Sequence, residues 1–524
     1  MKRTKPANPL LYDNQKIDPW VVTIIGTALL IRLVWIVYTN YTEEDAFITF
    51  RFARQLAKGH GFVFNVGEPI YGTTTPLLTL LLSVWYKLAP GNIVLGARLF
   101  DLLAAGGAML FLWKALHATG QTRTNQLFTL AIIALSSKLW LMDTQGMETP
   151  LVLFFMASSW YMWIKRRVGW TGLLTGLLLW TRIDLIPWVV IMVFAELISN
   201  PKEAVRLTLV VSIVYLPWLI FSTLHFGSPI PYTILAKWVA YSKFNASPVV
   251  AHLALMTQYL SIFEIPRGND RPQLIVFISN LFVLITLGLA IWQTSRKWHD
   301  HRLVILPTFA ILEIIRLTLT RETFFNRYFA PTLWVILILA GLALGTIWDL
   351  LESSRLKKIF MILITVGVIS MFLFGVQRAQ EFRVRQVYRH EASLKAIGIW
   401  LHENTSPQAI IQLEPLGYIG YYSDRAIIDE VGLVTPRVTK LKQERIDPNL
   451  YFSIFQPDYL VIHCDDSLRL QGQLGNQDTG LTNQYRLVKT FNPLNFDPLA
   501  VKTKLVHGYH PRTSCYDIWQ RIRE

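Results

Sequence analysis

"EEDAFITFRFARQLAKGHGFVFN", residues 43–65, follows directly on the apolar run "WVVTIIGTALLIRLVWIVYTN", residues 20–40. The chain leaves a greasy segment and at once presents three carboxylates, Glu43, Glu44 and Asp45, ahead of an aromatic and arginine-rich helical pattern. At about 1.5 Å per residue, a run of roughly 20 apolar residues crosses a hydrocarbon core about 30 Å thick. The acids therefore stand where a first membrane span ends.

Composition extends this reading to the whole chain. The 524 residues are 52% hydrophobic and only 16% charged, with 18 Trp, and the apolar residues fall in repeated long runs rather than scattered short ones. That pattern marks a polytopic membrane protein. The formal charge of +15 does not point to nucleic acid, because much of the Lys and Arg sits in short connections between apolar runs, and no groove-reading motif accompanies it. The start "MKRTKPANPLLYDNQK" is basic and lacks a small-residue cleavage site, so the first span is expected to stay uncleaved.

Lys2, Arg3, Lys5 and Lys16 hold the start of span 20–38 in the cytoplasm and place Glu43 to Asp45 outside. The run from Pro76, "PLLTLLLSVWYKLA", is short and ends at a Pro-Gly turn; it is expected as a juxtamembrane or re-entrant helix. Further spans are expected at 92–113, 126–142, 150–164, 170–183, 185–199, 204–224, 273–294, 303–319, 329–348 and 358–376, about eleven crossings in all. The basic clusters at 114–123, 165–167, 202–206, 295–302 and 354–358 then lie inside. Outside lie the 40–91 loop, "DTQGMET" at 143, "TRID" at 181, the loop from His225 and "RETFFNRYF" at 321.

Beyond about residue 385 the composition becomes that of a soluble domain. "EASLKAIGIWLHENTSPQ" from Glu391 has the spacing of an amphipathic helix, and "AIIQL", "AIID", "DYLVIHC" and "YRLVKTF" read as short strands. The chain divides into a membrane domain, 1–384, and a small extracytoplasmic α/β domain, 385–524. Cys464 and Cys515 both fall in the latter, where the compartment permits a disulfide but two thiols alone do not establish that they meet.

The stretch 43–82, "EEDAFITFRFARQLAKGHGFVFNVGEPIYGTTTPLLTLLL", resembles the first outer loop of GT-C fold glycosyltransferases, particularly the branch of the bacterial arabinofuranosyltransferases. Further similar segments follow in order: "GMETPLVLFF" at 146, "LLLWTRIDLIPWVV" at 177, "FGSPIPYTILAKW" at 226, "NRYFAPTLWVILILAG" at 326 and "WLHENTSPQAIIQLEPLGYIGYYSDRAIIDEVGLVTP" at 400. The resemblance implies a polytopic α-helical membrane protein of GT-C type with juxtamembrane helices. It also implies transfer of a sugar from a polyprenyl-phosphate carrier to a glycan, lipid or protein acceptor on the outer face, usually with inversion and without a nucleotide sugar.

Such a transfer needs a carboxylate to take the acceptor hydroxyl proton and cations for the phosphate leaving group. Asp45 or Glu44 is the candidate base; family members usually carry Asp-Asp where this chain reads Glu44-Asp45, so the two stay alternatives, with a helix cap as the structural role competing for the cluster. Glu148, at the start of a span, is a candidate orienting acid or a first-turn glutamate favoured by the helix dipole. Arg182 and Asp184 form a charged pair at a membrane boundary, functional or fixing two helices. Lys237, Arg321, Arg327 and His225 are the candidate phosphate ligands, with interfacial snorkelling the alternative for Lys237. His60, between glycines, and Tyr418, Tyr421 and Asp424 are candidates for acceptor or sugar contact, against turn formation and domain packing. No cofactor is required; a divalent cation suits the hard carboxylates, but nothing in the spacing demands one. A transporter or lipid flippase, or a non-catalytic envelope scaffold, is the alternative function class.

Overall fold

The computed structural model describes residues 17–241, 302–320, 325–388, 390–474, 481–492 and 515–523, with 260, 281 and 288. The expected span 273–294 and Arg321 lie essentially outside them. Helix α1 (Pro19–Thr39) starts with Asp18, whose carboxylate accepts from Trp20 N–H, has Pro at its first position, and stops at Asn40 in the left-handed conformation. Next come α2 (Ala46–Ala57), α3 (Pro76–Leu88), α4 (Ile93–Ala118), α5 (Arg123–Leu135), α6 (Ser137–Met142), α7 (Thr149–Ile164), α8 (Val168–Thr181), α9 (Ile186–Ser199), α10 (Pro201–Phe226) and α11 (Tyr232–Ala240). Helices Ile305–Thr320, Asn326–Leu350 and Ser354–Tyr388 follow.

Among the described residues, five segments are long and apolar enough to cross a bilayer: Pro19–Thr39, Ile93–Ala118, Pro201–Phe226, Arg327–Leu350 and Ser354–Asn404. The expected span 126–142 is not one helix; it breaks at Ser136 into α5 and α6. The Pro76 run is a 13-residue helix, as its length predicts, and it packs on α2, α4 and α8. The core of the bundle is apolar and aromatic, with Trp160, Trp188 and Trp334 fully buried. Pairings α4 with α7, α8 with α10, and α5 with the Asn326–Leu350 helix dominate.

The two ends of the bundle differ. One end is tied by Arg123 to Asp18 at 2.5 Å, Thr122 to Asp349 at 2.9 Å and Arg166 to Glu196 at 2.8 Å. The other gathers the end of α1, the 40–75 loop, the 143–148 turn, the α8–α9 connection, α11 and the start of the Asn326 helix. Glu43 N–H meets Gln145 O at 3.1 Å and Tyr232 N–H meets Tyr71 O at 2.9 Å. A buried ion pair, Arg32–Asp143 at 2.7 Å, and the bond from Gly146 N–H to Asp101 at 2.8 Å hold the 143–148 turn against α1 and α4.

The Ser354–Tyr388 helix leads into helix His390–Asn404 and a five-stranded sheet. Strands β1 (Ile410–Leu413), β2 (Ala426–Asp429), β3 (Tyr459–His463), β4 (Tyr485–Phe491) and β5 (Tyr516–Arg521) lie in the order β2-β1-β3-β5-β4. Strand β1 is parallel to β2 and β3, whereas β5 runs antiparallel between β3 and β4. Leu413 stands opposite Asp429. The four short apolar runs are strands; β5, "YDIWQR", is a fifth that the sequence pattern does not single out. Cys464 and Cys515 are bonded, with their Cα atoms 5.5 Å apart, joining the end of β3 to the start of β5.

Candidate functional site

Asp45 occupies the N-cap position of α2 yet makes no side-chain capping bond. Its carboxylate turns instead to Arg327 at 2.5 Å, at the start of the Asn326 helix, and keeps 24% of its side chain exposed. Lys237 on α11 approaches from the side: its Nζ donates to Tyr328 Oη at 3.1 Å and lies 4.6 Å over the Phe325 ring. Burial by itself raises the pKa of Asp45, but Arg327 and Lys237 outweigh burial and hold it below the ordinary aspartate value.

Glu148 likewise sits at the N-cap of α7 without capping it. It is buried, its Oε1 is 3.6 Å from Arg182 Nη1, and its Oε2 has no hydrogen-bond partner among the described residues. Arg182 grips Asp184 through two bonds of 3.0 and 2.5 Å and donates to the Arg327 carbonyl at 3.0 Å. Its guanidinium lies 5.0 Å from the Tyr328 ring centre. Arg182 thus fixes the backbone that carries Arg327, and Asp184 is further tied to Arg316 at 3.8 Å. Asp45, Glu148, Arg182, Asp184, Lys237 and Arg327 are brought into one cluster from five separate chain segments. Phe325 and Tyr328, not singled out in the sequence, form its aromatic wall; the alternation of ring and arginine in "FFNRYF" is the signal that carries them.

Glu44 has a different engagement. Its carboxylate accepts a hydrogen bond from the N–H of Gly417, in the first turn of helix Leu416–Ser423, which follows β1. That helix begins at Pro415 without a cap of its own, so Glu44 serves as a cap delivered from a remote loop. Burial, then the neighbouring Asp45, pushes its pKa well above the usual glutamate value. The two adjacent acids are driven apart: Asp45 is held ionised and Glu44 tends to hold a proton. Gly417 lets the chains meet, since a side chain there would collide with Glu44.

The arginines of α2 hold the opposite end of the same helix. Arg51 donates to Gly420 O at 2.5 Å, Arg425 O at 2.6 Å and Phe64 O at 2.9 Å. Arg54 donates to Tyr421 O at 2.9 Å and pairs with Asp424 at 2.7 Å. Glu44 caps the N-terminus by accepting from Gly417 N–H, and the two arginines at the C-terminus favour the helix dipole. Asn65 completes the docking by bonding Ile427 N–H and O, on β2, at 3.0 and 2.9 Å.

The remaining candidates take up structural positions. Tyr418 is buried and donates its hydroxyl toward Thr42 O and Gln386, each 3.1 Å away, while its ring lies 4.0 Å from Phe47. Tyr421 stacks under Arg54 at 4.3 Å, and Asp424 is the salt-bridge partner of Arg54 and Lys58. His60 is exposed and bonds locally to Gln55 at 2.7 Å. His225, exposed at the end of α10, stacks on Phe221 at 5.0 Å and lies edge-on to Phe226 of the same helix. The structure does not bring these five residues into the Asp45 cluster. Among the described residues no group of three or more His, Cys, Asp or Glu is arranged to hold a metal ion.

Residues 380–516 match a family described as a domain of unknown function, DUF8728. No curated protein matches the chain in sequence. Solved structures do match in shape. ArnT from Cupriavidus metallidurans bound to undecaprenyl phosphate aligns with TM-score 0.59 at 13% identity, over 95% of this chain and 97% of that one. The Archaeoglobus fulgidus oligosaccharyltransferase tethered to an acceptor peptide aligns with TM-score 0.58 at 12% identity, over 90% and 73%. AglB from the same organism, in complex with an inhibitory peptide and a dolichol-phosphate, aligns with TM-score 0.56 at 12% identity, over 84% and 69%. The arrangement of apolar helices and the sheet-containing C-terminal region is therefore that of the GT-C fold, and the chain is a polytopic membrane protein of that fold.

Proposed function

We propose that this protein is a glycosyltransferase that moves a sugar from a polyprenyl-phosphate donor to a hydroxyl-bearing acceptor, with Asp45 as general base. The observation that carries the proposal is the Asp45 carboxylate, partly exposed, turned away from its own helix and set against Arg327 beside Lys237. Undecaprenyl phosphate in the ArnT structure and dolichol-phosphate in the AglB structure support a donor of this class.

In the resting site Arg327 neutralises Asp45. A donor phosphate entering beside Arg327 and Lys237 competes for both cations, and Asp45 loses the charge that depresses its pKa. The base is thereby released when the donor is in place. Asp45 then takes the acceptor hydroxyl proton as the oxygen attacks the anomeric carbon; the bond from that carbon to the phosphate oxygen breaks, and the electron pair leaves with the polyprenyl phosphate. Arg327 and Lys237 stabilise the departing charge. Arg182 keeps Arg327 in register, and Glu148 balances the buried guanidinium. Glu44 is a positioning residue, binding the base-bearing loop to the soluble domain. A cation cradle of this kind supplies phosphate-neutralising charge from the chain itself, so we infer no obligatory metal; turnover unchanged by a chelator is the expected result.

The ends of the bundle support an extracytoplasmic site, since Arg123, Lys165 and Arg166 stand at the end opposite Asp45. A reporter fused to the C-terminus is expected to report the outer side. The resemblance of residues 43–82 makes a furanosyl donor the first to assay. In that assay Asp45→Asn is expected to abolish transfer from a lipid-linked donor while polyprenyl-phosphate binding persists. Full turnover in Asp45→Asn refutes the assignment.

A further inference from the structure

A second acidic group stands at the carboxyl edge of the sheet in the C-terminal region. Glu414 follows β1 directly, and Glu430 follows β2; because Leu413 stands opposite Asp429, the two glutamates emerge side by side at the carboxyl ends of adjacent parallel strands. Glu430 N–H donates to Leu413 O at 3.0 Å. The chain goes from β1 to β2 on one side, while β3 lies on the other. The carboxyl edge of β1 is thus a point of diverging connections, the place where open α/β sheets hold ligands.

Three further observations bear on a ligand there. Glu414 is exposed and makes no ion pair among the described residues. Gln412, two residues earlier on the same face of β1, is 3% exposed; its Nε2 donates to Glu430 at 2.8 Å, while its Oε1 accepts no bond among the described residues. An unfilled buried acceptor beside carboxylates calls for a donor group. Gly417, three residues after Glu414, donates its N–H to Glu44, the neighbour of Asp45, so the carboxyl end of β1 is brought to the loop that carries the base. Asp429 belongs to the local turn instead, accepting from Val431 and Val434 N–H. Lys442 donates toward Val431 O at 3.4 Å and offsets only part of the negative charge.

We propose that Glu414, with the free Gln412 oxygen, forms the acceptor subsite, and that it selects neutral or ammonium-bearing glycosyl acceptors against anionic ones. This rests on the glycosyltransferase reading. The membrane-side wall, carrying Arg327, Lys237 and Arg182, takes the anionic donor. The C-terminal wall, carrying Glu414 and Glu430, takes hydroxyl or ammonium donors, and it repels carboxylates above about pH 7, because burial and then the neighbouring Glu430 push Glu414 up to about 7. Opposed polarity keeps each substrate out of the other's subsite.

The test measures binding to the full chain in lipid nanodiscs. Methyl glycosides of an amino sugar, a neutral sugar and a uronic acid are followed by saturation-transfer NMR, and a polyprenyl phosphate by tryptophan fluorescence. The amino and neutral glycosides are expected to bind, with the uronide about tenfold weaker or more, the scale of one bond to a charged group. In Glu414→Gln the three glycosides are expected within about twofold of one another, with polyprenyl-phosphate affinity unchanged; that second affinity also reports that the variant is folded. Charge preference that survives Glu414→Gln, a uronide that binds wild type as tightly as the others, or no glycoside binding at all overturns the proposal. A wild-type protein that discriminates among glycosides but ignores polyprenyl phosphate overturns the donor reading, and with it the role of Glu414 as acceptor partner.

Discussion

Replacing Arg51 by Met tests how the soluble domain is held to the membrane domain. The Arg51 side chain is 2% exposed, and its guanidinium satisfies Gly420 O, Arg425 O and Phe64 O, two of them across the domain junction. Methionine keeps much of the apolar stem but leaves those carbonyls unpaired. A hydrogen bond to a charged group contributes about 1.5–3 kcal/mol, so losing three at the low end costs about 4 kcal/mol. Part of the cation–π contact with Phe64, 4.2 Å from the guanidinium carbon, is lost as well. At about 1.4 kcal/mol per decade, 4 kcal/mol corresponds to roughly a thousandfold faster opening-limited hydrogen exchange. The affected amides are those of helix Leu416–Ser423, read by mass spectrometry on protein in nanodiscs. The Arg51→Lys variant, retaining charge but not the fork, is expected to fall between. If exchange of these amides in Arg51→Met stays within threefold of wild type, the helix is not held from its C-terminal end by α2.

Other consequences concern the site and the sheet. Lys237→Met is expected to weaken polyprenyl-phosphate binding by about tenfold or more, since one charge-assisted contact is removed, measured by tryptophan fluorescence titration; unchanged affinity excludes Lys237 from the phosphate cradle. Asp429 is raised to about 6 by burial, against the three backbone N–H groups that favour its ionised form. The native state therefore holds the proton longer than the unfolded chain, and this contribution to stability, present below about pH 4, is lost as the pH rises through about 6. Melting of the C-terminal region at successive pH values should follow that slope in wild type and lose that part of it in Asp429→Asn. The Cys464–Cys515 bond closes a separation of 51 residues, and its loss in the paired Ser variant is expected to destabilise the C-terminal region by about 4 kcal/mol on the loop-entropy scale. A denaturant midpoint indistinguishable from wild type would contradict this.

The glycine positions of "EPLGYIGYY" illustrate how function and docking share residues. Gly417 admits Glu44, and Gly420 admits Arg51 and Phe64. A side chain at either position would push the soluble domain off the loop that carries Asp45. The aromatic and arginine-rich pattern after the acids thus has a physical purpose: it is the seat on which the C-terminal region sits, and the acids lie at the edge of that seat.

By itself the sequence determined that the chain lives in lipid, where the long runs lie, and where the soluble region begins to be strand-forming. These follow from local physics: a bilayer demands contiguous apolar residues, and a half-buried strand or helix imposes its period on neighbours in the chain. It also marked the acids at the end of α1 and the cations in the segments from Lys237 and Arg327 as candidate chemistry. Only the tertiary structure decided their partners. Asp45 meets Arg327 across 282 positions and Glu44 meets Gly417 across 373, and no local period encodes a contact between groups so far apart. The break at Ser136 and the strand Tyr516–Arg521 were hidden for the same reason, because a tight fit against neighbouring elements, rather than intrinsic preference, selects the conformation there. The different engagements of the two adjacent acids are likewise set by the tertiary structure alone: Asp45 pairs with Arg327, and Glu44 accepts from the first turn of a helix.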